Sequence, residues 1–374
     1  MRRSLLLFPI LTACAIGAPS RQALEAEVRG VLTRTHANGL AIGVIENGRV
    51  ETVLASGIRN AAGAPLETNT VMYGASLTKV VFAYGVMLLV DQHRLELDRP
   101  IAALLPKPLP GYAGYESLAA DDRWQRITPR MALTHSTGLP NFAFVEPDRK
   151  LHLHFEPGSR YAYSGEGLLL LQLALEQGLG LNLHEFTDGY LRQLGLTRSA
   201  LQWRDDFAGN LADGFNDEGR MVPHDHRSRV RVAGSLDTTI ADMTAFAAAL
   251  LRGEALSASS RAELARPQLA IATAHQFPTL QPELPPPARR KDLQAGLGVV
   301  TFTGPQGPGF YKGGHDEQTA NTMVCLERGK RGVVILSNDV RAEAGYAGLV
   351  RFVLGETGVP YDWEYGDGAG KSNP

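Results

Sequence analysis

The stretch Val71-Met72-Tyr73-Gly74-Ala75-Ser76-Leu77-Thr78-Lys79-Val80-Val81-Phe82-Ala83-Tyr84-Gly85-Val86-Met87-Leu88-Leu89-Val90-Asp91 decides how this chain folds. It opens as a strand-like apolar run, turns through two small residues, and continues as a long apolar helix from Thr78 to Asp91. Ser76 stands at the turn, and Lys79 follows three residues later on the same side of the helix start. Serine is a poor nucleophile until a neighbouring base takes its proton. Lysine becomes such a base when burial and nearby positive charge lower its pKa. A helix N-terminus adds oriented N–H groups that favour developing negative charge. Chance alone supplies about 0.3 Ser-x-x-Lys matches in a chain with this many serines and lysines, so the spacing by itself is a weak signal. Its placement at a strand–turn–helix junction is what singles it out.

Upstream, Leu40 to Ile45 and Val50 to Leu54 are apolar, β-branched runs separated by Glu46-Asn47-Gly48-Arg49. The central Asn-Gly predicts a hairpin. Downstream, Thr128-Pro129 opens a helix expected to stop near Gly138-Leu139-Pro140, and Gly167 to Leu179 and Thr239 to Leu251 read as further helices. The proline-rich stretch from Leu280 to Ala288 reads as a linker. Beyond Gln294 the pattern changes to short β-rich runs, punctuated by Gly304, Gly307, Gly313, Gly314 and Gly329, which predicts an antiparallel meander. Ala342 to Leu354 reads as a closing helix. Strands at both ends with helices between them predict an α+β lobe built from 21–82 and 292–360, a mostly helical lobe inserted over 83–291, and a flexible tail over 361–374.

Two other segments carry candidate chemistry. Tyr161-Ala162-Tyr163-Ser164-Gly165-Glu166-Gly167 puts tyrosines in a glycine-rich loop, where a phenol near cations can act as acid or base; a tyrosine packed at an edge is the plainer reading. Phe310-Tyr311-Lys312-Gly313-Gly314-His315 ends a strand in a lysine and two glycines, which let a substrate approach the backbone closely. A free N–H there can complete an oxyanion hole with the N–H of Ser76.

Taken together, these segments resemble the penicillin-recognising serine enzymes, close to class C β-lactamases, D-Ala-D-Ala carboxypeptidases and related esterases. Leu133-Thr134-His135-Ser136-Thr137-Gly138-Leu139-Pro140 resembles that family's threonine–histidine–glycine helix end, and Ala233-Gly234-Ser235-Leu236-Asp237-Thr238-Thr239-Ile240-Ala241-Asp242 its glycine-to-helix segment. The resemblance runs from about Leu24 to Gly355. It implies a β-lactamase/transpeptidase-like fold, with terminal helices flanking an antiparallel sheet. It implies Ser76 as nucleophile, Lys79 as its basic partner and Tyr163 as the shuttle toward the leaving group. Lys312 would support Tyr163 or a substrate carboxylate, and the His315 N–H would complete the oxyanion hole. His135 reads as an organiser of its loop. The implied substrates are small esters, D-amino-acid peptides or β-lactams, with no cofactor and no metal.

Two positions depart from the family's pattern. Gly165 stands where its tyrosine motif ends in asparagine, and Gly313 where β-lactamases carry threonine. Both losses argue against efficient β-lactam hydrolysis, whereas Lys312 points to a substrate bearing a carboxylate. Glu166, beside the missing asparagine, reads as an exposed loop carboxylate.

Composition narrows the alternatives. A formal net charge of −2 over 374 residues gives no electrostatic reason to expect a nucleic-acid partner. His152-Leu153-His154 and His224-Asp225-His226 have ligand-like spacing but lie in no recognisable metal motif, and His184-Glu185 lacks the second histidine of a zincin helix. No G-x-S-x-G elbow occurs, which disfavours an α/β-hydrolase. A non-catalytic protein that binds a peptide or cell-wall fragment is the rival from another class. At the N-terminus, Arg2-Arg3 precede an apolar run and Leu11-Thr12-Ala13-Cys14, which resembles a lipoprotein signal. Residues 1–20 are therefore expected to direct export, with Cys14 as a lipid anchor, a periplasmic location and no other membrane attachment.

Overall fold

The computed structural model describes residues 17–366. Twelve strands and nine α-helices occur among them, numbered here in chain order. Helix α1 (Arg21–Thr35) leads into β1 (Gly39–Glu46), β2 (Arg49–Gly57), β3 (Met72–Ala75) and α2 (Thr78–Asp91). The middle of the chain holds α3 (Pro129–Leu133), α4 (Gly165–Gly178), α5 (Leu183–Gln193), β4 (Gly214–Phe215), β5 (Met221–Val222), β6 (Leu236–Thr238), α6 (Ile240–Arg252) and α7 (Ala258–Leu264). The rest runs through β7 (Leu269–Ala270), β8 (Leu293–Ala295), β9 (Val300–Gly304), β10 (Gly307–His315), β11 (Ala320–Leu326), β12 (Arg331–Ser337), α8 (Tyr346–Leu354) and α9 (Tyr361–Tyr365).

The first hairpin forms as its turn chemistry predicts. Asn47 and Gly48 both have positive φ, 52° and 71°, which suits the twist of two antiparallel strands joined by a two-residue loop. The main sheet has eight antiparallel strands in the order β2-β1-β12-β11-β10-β9-β8-β7. Its N-terminal strands join the C-terminal meander where β1 pairs with β12, Ala41 opposite Leu336 and Val44 opposite Val333. Both faces of β1 are covered, which is why Gly39 to Ile45 is a continuous apolar run rather than an alternating one. Leu40, Ile42 and Val44 pack with Val333 and Ile335 in the core beneath α1 and α8. Ala41 and Ile45 face the other way, into the larger core that contains Phe246 of α6 and Val80 of α2. The fold is α+β.

Helix α2 covers the predicted span. Eleven of its fourteen residues are buried, so it is apolar on nearly every side, as a helix enclosed by others must be. Lys79 is among them. Helix α3 is shorter than predicted and ends at Leu133, because His135 adopts a left-handed conformation, φ 54°, that breaks the helix before Gly138.

The lobe boundaries differ from those expected in two ways. Helix α6 and strand β7 belong to the expected helical insertion by position, yet α6 packs on β1, β2 and β12, and β7 forms one edge of the main sheet. The expected flexible tail begins too early, because residues 361–365 form α9, in which Tyr361 and Trp363 are buried. Burial of such side chains contributes about 1.5–3 kcal/mol each, enough to hold a one-turn helix in place. Residues 367–374 lie outside the described residues. No helix among the described residues is long and apolar enough to cross a membrane.

Candidate active site

The turn after β3 is the centre of the site. Ala75 has positive φ, 46°, uncommon for a residue with a side chain, and Ser76 follows it directly before α2. Ser76 Oγ is 2.9 Å from Lys79 Nζ and accepts a hydrogen bond of 2.8 Å from the Tyr163 hydroxyl. Lys79 is 1% exposed, and its Nζ also donates to the Ala233 carbonyl. Burial, together with the charge of Lys312, holds its pKa well below 10.5. Burial acts on Tyr163 in the opposite sense, raising its pKa and keeping the phenol protonated, with the Ser76 hydrogen bond opposing only in part.

Tyr163 is positioned by His135. Ser164 N donates to His135 Nδ1 at 3.1 Å, and Ala162 N donates to the His135 carbonyl at 2.8 Å, so the residue pins both neighbours of Tyr163. Its ring also packs 4.5 Å from the Tyr163 ring. His135 is buried and held neutral, by burial first and by Lys79 and Lys312 second. Two lysine amino groups flank the phenol, Lys79 Nζ 4.9 Å and Lys312 Nζ 5.3 Å from the ring centroid.

Lys312 comes from β10, is buried, and donates 2.7 Å to the Gly313 carbonyl. Burial lowers its pKa to about 8, against the opposing charge of Glu364. The end of β10 abuts the Ser76 turn: a Cβ on Gly314 would lie 3.1 Å from both Ser76 N and Leu77 N. It would also lie 2.7 Å from the Gly74 carbonyl oxygen, a closeness that requires glycine. The His315 ring is exposed and pairs with Glu343 at 2.8 Å, which raises its pKa.

The two glycines that depart from the family's pattern are both explained by packing. A Cβ on Gly165 would come 2.6 Å from the Phe142 ring, and Gly165 N donates to Asn141 Oδ1 at 3.1 Å. A Cβ on Gly313 would overlap Glu364 Oε1 and lie 2.9 Å from the Tyr365 hydroxyl. Asn141, Phe142 and Glu364 therefore occupy the room that larger residues would need. Glu166 is less exposed than expected and accepts 2.9 Å from Ala143 N, which holds the Phe142 loop; burial raises its pKa.

Ser76, Lys79, Tyr163 and Lys312 line one cleft of about 880 Å³. Phe142 and Phe144 stack at 5.2 Å, and Phe277 packs 5.6 Å from Tyr163, so aromatic rings line part of the same cleft. Phe144 and Phe277 are 67% and 49% exposed. Glu364, the aromatic rim and Asn141 were not legible as site residues. The histidine pairs have other partners: His152 meets Asp148 at 2.9 Å, His154 meets Glu146 at 3.2 Å, His224 meets buried Asp237 at 3.0 Å, and His226 stacks on Trp203. Cys325 is buried, and Cys14 lies outside the described residues.

A family model described as Beta-lactamase matches residues 24–354. The chain belongs to the beta-lactamase family. It is similar to the unguisins hydrolase ungD of Aspergillus violaceofuscus, 25% identical over 62% of this chain and 45% of that protein. It is also similar to the lovastatin esterase of Penicillium rubens, 28% identical over 40% of this chain and 44% of that one. The chain spans about half the length of the curated relatives it matches. The crystal structure of the D-alanine carboxypeptidase AmpC from Burkholderia cenocepacia superposes with a TM-score of 0.70, covering 88% of this chain and 97% of that one at 14% identity. At that identity the likeness establishes the β-lactamase/transpeptidase-like fold alone.

Proposed function

We propose that the chain is a serine-dependent acyl hydrolase, cleaving esters or D-amino-acid peptides through an acyl-enzyme at Ser76. The observation that carries this reading is the convergence of Lys79 Nζ and the Tyr163 hydroxyl on Ser76 Oγ, at 2.9 and 2.8 Å. A neutral Lys79 takes the Ser76 proton as Oγ attacks the acyl carbon, while the Ala233 carbonyl keeps the amine aimed. Protonated Tyr163 gives its proton to the leaving oxygen or nitrogen, and the Lys79 ammonium then reprotonates the phenolate. Water reverses the relay and frees the acid. The N–H groups of Ser76 and His315 are assigned to the oxyanion; the tight approach of Gly314 to Ser76 N supports this. Lys312 supports the relay by charge, favouring the transient phenolate.

The names of two relatives, a hydrolase and an esterase, agree with acyl transfer to water. The aromatic rim favours an apolar acyl group, and the filled space at Gly165 and Gly313 makes β-lactam turnover weak at most. With p-nitrophenyl butyrate, the wild type is expected to give a burst of nitrophenolate followed by slower turnover, and Ser76→Ala neither. Turnover retained by Ser76→Ala would discard the proposal, and unaltered ligand binding without any turnover in the wild type would turn it toward a binding protein.

Export with a lipid on Cys14, leaving the protein in the periplasm at a membrane, belongs to the same proposal and rests on the N-terminal sequence. Cells fed radioactive palmitate are expected to label the wild-type chain and not Cys14→Ser. Equal labelling of both, or of neither, would remove the anchor.

A further inference from the structure

Lys79 apart, the cations on the wall of the cleft each face a carboxylate of the chain. Arg227 lies 3.5 Å from Asp237 and 3.7 Å from Asp225, His315 pairs with Glu343, Arg231 faces the charge of Glu166, and Lys312 faces that of Glu364. The last of these pairs is the closest to the chemistry, because Lys312 flanks Tyr163. Glu364 comes from α9, lines the Ser76 cleft, and reaches over Gly313 so closely that even a methyl group there would strike it. Its Oε2 is buried without a hydrogen-bond partner, as are the hydroxyls of Tyr311 and Tyr365 beside it. Burying part of a carboxylate costs stability, and the packing of α9 is carried by Tyr361 and Trp363 rather than by Glu364.

We propose that Glu364 is a specificity-determining residue: it takes the room beside Lys312 where a substrate carboxylate would bind, and so directs the site to acyl substrates whose leaving group carries no negative charge. The inference rests on Ser76 being the nucleophile. It reverses the expectation that Lys312 marks a carboxylate-bearing substrate, because the counter-charge of that lysine is built into the chain. A second carboxylate would meet Glu364 as a like charge in a low-dielectric pocket, where repulsion is strong. Burial brings the Glu364 pKa to about 7, so the group is ionised above that pH. Discrimination here works by repelling the wrong ligand rather than by holding the right one more tightly.

The test compares meta-carbamoylphenyl butyrate with meta-carboxyphenyl butyrate at a pH above the Glu364 value of about 7. Rates are taken per site titrated with an uncharged fluorophosphonate, so that misfolded protein does not enter the ratio. The wild type is expected to prefer the neutral ester. Glu364→Gln, which keeps the shape and removes the charge, is expected to shift the ratio of kcat/KM toward the carboxylate ester by about tenfold, mostly through KM. Glu364→Ala should shift it further, and adding Lys312→Met to that variant should cancel the gain. An unchanged ratio in both Glu364 variants, with Ser76 still labelled, would overturn the proposal alone. A wild type that takes no fluorophosphonate on Ser76 would overturn the nucleophile assignment and this inference with it.

Discussion

Lys79→Ala is expected to lower the rate of Ser76 acylation by about 10⁴-fold, the upper end of what a positioned base contributes. Lys79 is the one basic group within hydrogen-bond distance of Ser76 Oγ among the described residues; Tyr163, the other group at that distance, is held in its protonated form. No other side chain among the described residues stands ready to take the serine proton. The same assignment fixes the sign of the pH dependence. Burial and Lys312 lower the Lys79 pKa, so the neutral amine reaches to lower pH than in an exposed lysine and gains its proton as the pH falls. Acylation should therefore decline on the acid side, with a midpoint well below 10.5. A pH profile of kcat/KM for an aryl ester checks this, alongside thermal melts that show the variant is folded. A rate that rises only near 10.5, or a Lys79→Ala enzyme acylated at the wild-type rate, would remove Lys79 as the base.

Tyr163→Phe removes one hydroxyl and leaves the ring against His135 and Phe277. Stability should change little, while turnover of an alkyl ester or amide should fall by about 10²-fold or more. The loss should depend on the leaving group. A nitrophenolate departs without a proton and should lose far less than an alkoxide or an amine, which must be protonated as it leaves. Turnover measured across a series of esters with leaving groups of rising pKa reads this directly. An equal loss for every ester would make Tyr163 a structural contact of Ser76 and not a proton donor.

What could be read from the sequence was local. The Asn47-Gly48 turn, the helix from Thr78 to Asp91 and the Ser76–Lys79 spacing are each set by neighbours in the chain, and each appears where the pattern places it. Tyr163 lies 87 residues beyond Ser76, and no spacing rule connects them; its assignment came from family resemblance. The packing of α6 on the sheet and the pairing of β7 into it were hidden for the same reason, since both depend on contacts between distant segments. Glu364 is not legible as a site residue because the last fourteen residues, glycine-containing and ending in polar positions, read as tail. Tyr361-Asp362-Trp363-Glu364-Tyr365 nevertheless carries three aromatics in five residues, a composition that unstructured segments lack. Gly165 and Gly313 were legible as losses, but only the packing reveals what fills their places.

The most direct test of the central claim is intact-mass spectrometry of the wild type and of Ser76→Ala after exposure to an uncharged fluorophosphonate. A single adduct on the wild type, mapped to Ser76, and none on the variant is the predicted result. An unmodified wild type, or an adduct that persists when Ser76 is replaced, would contradict the assignment of Ser76 as the activated nucleophile.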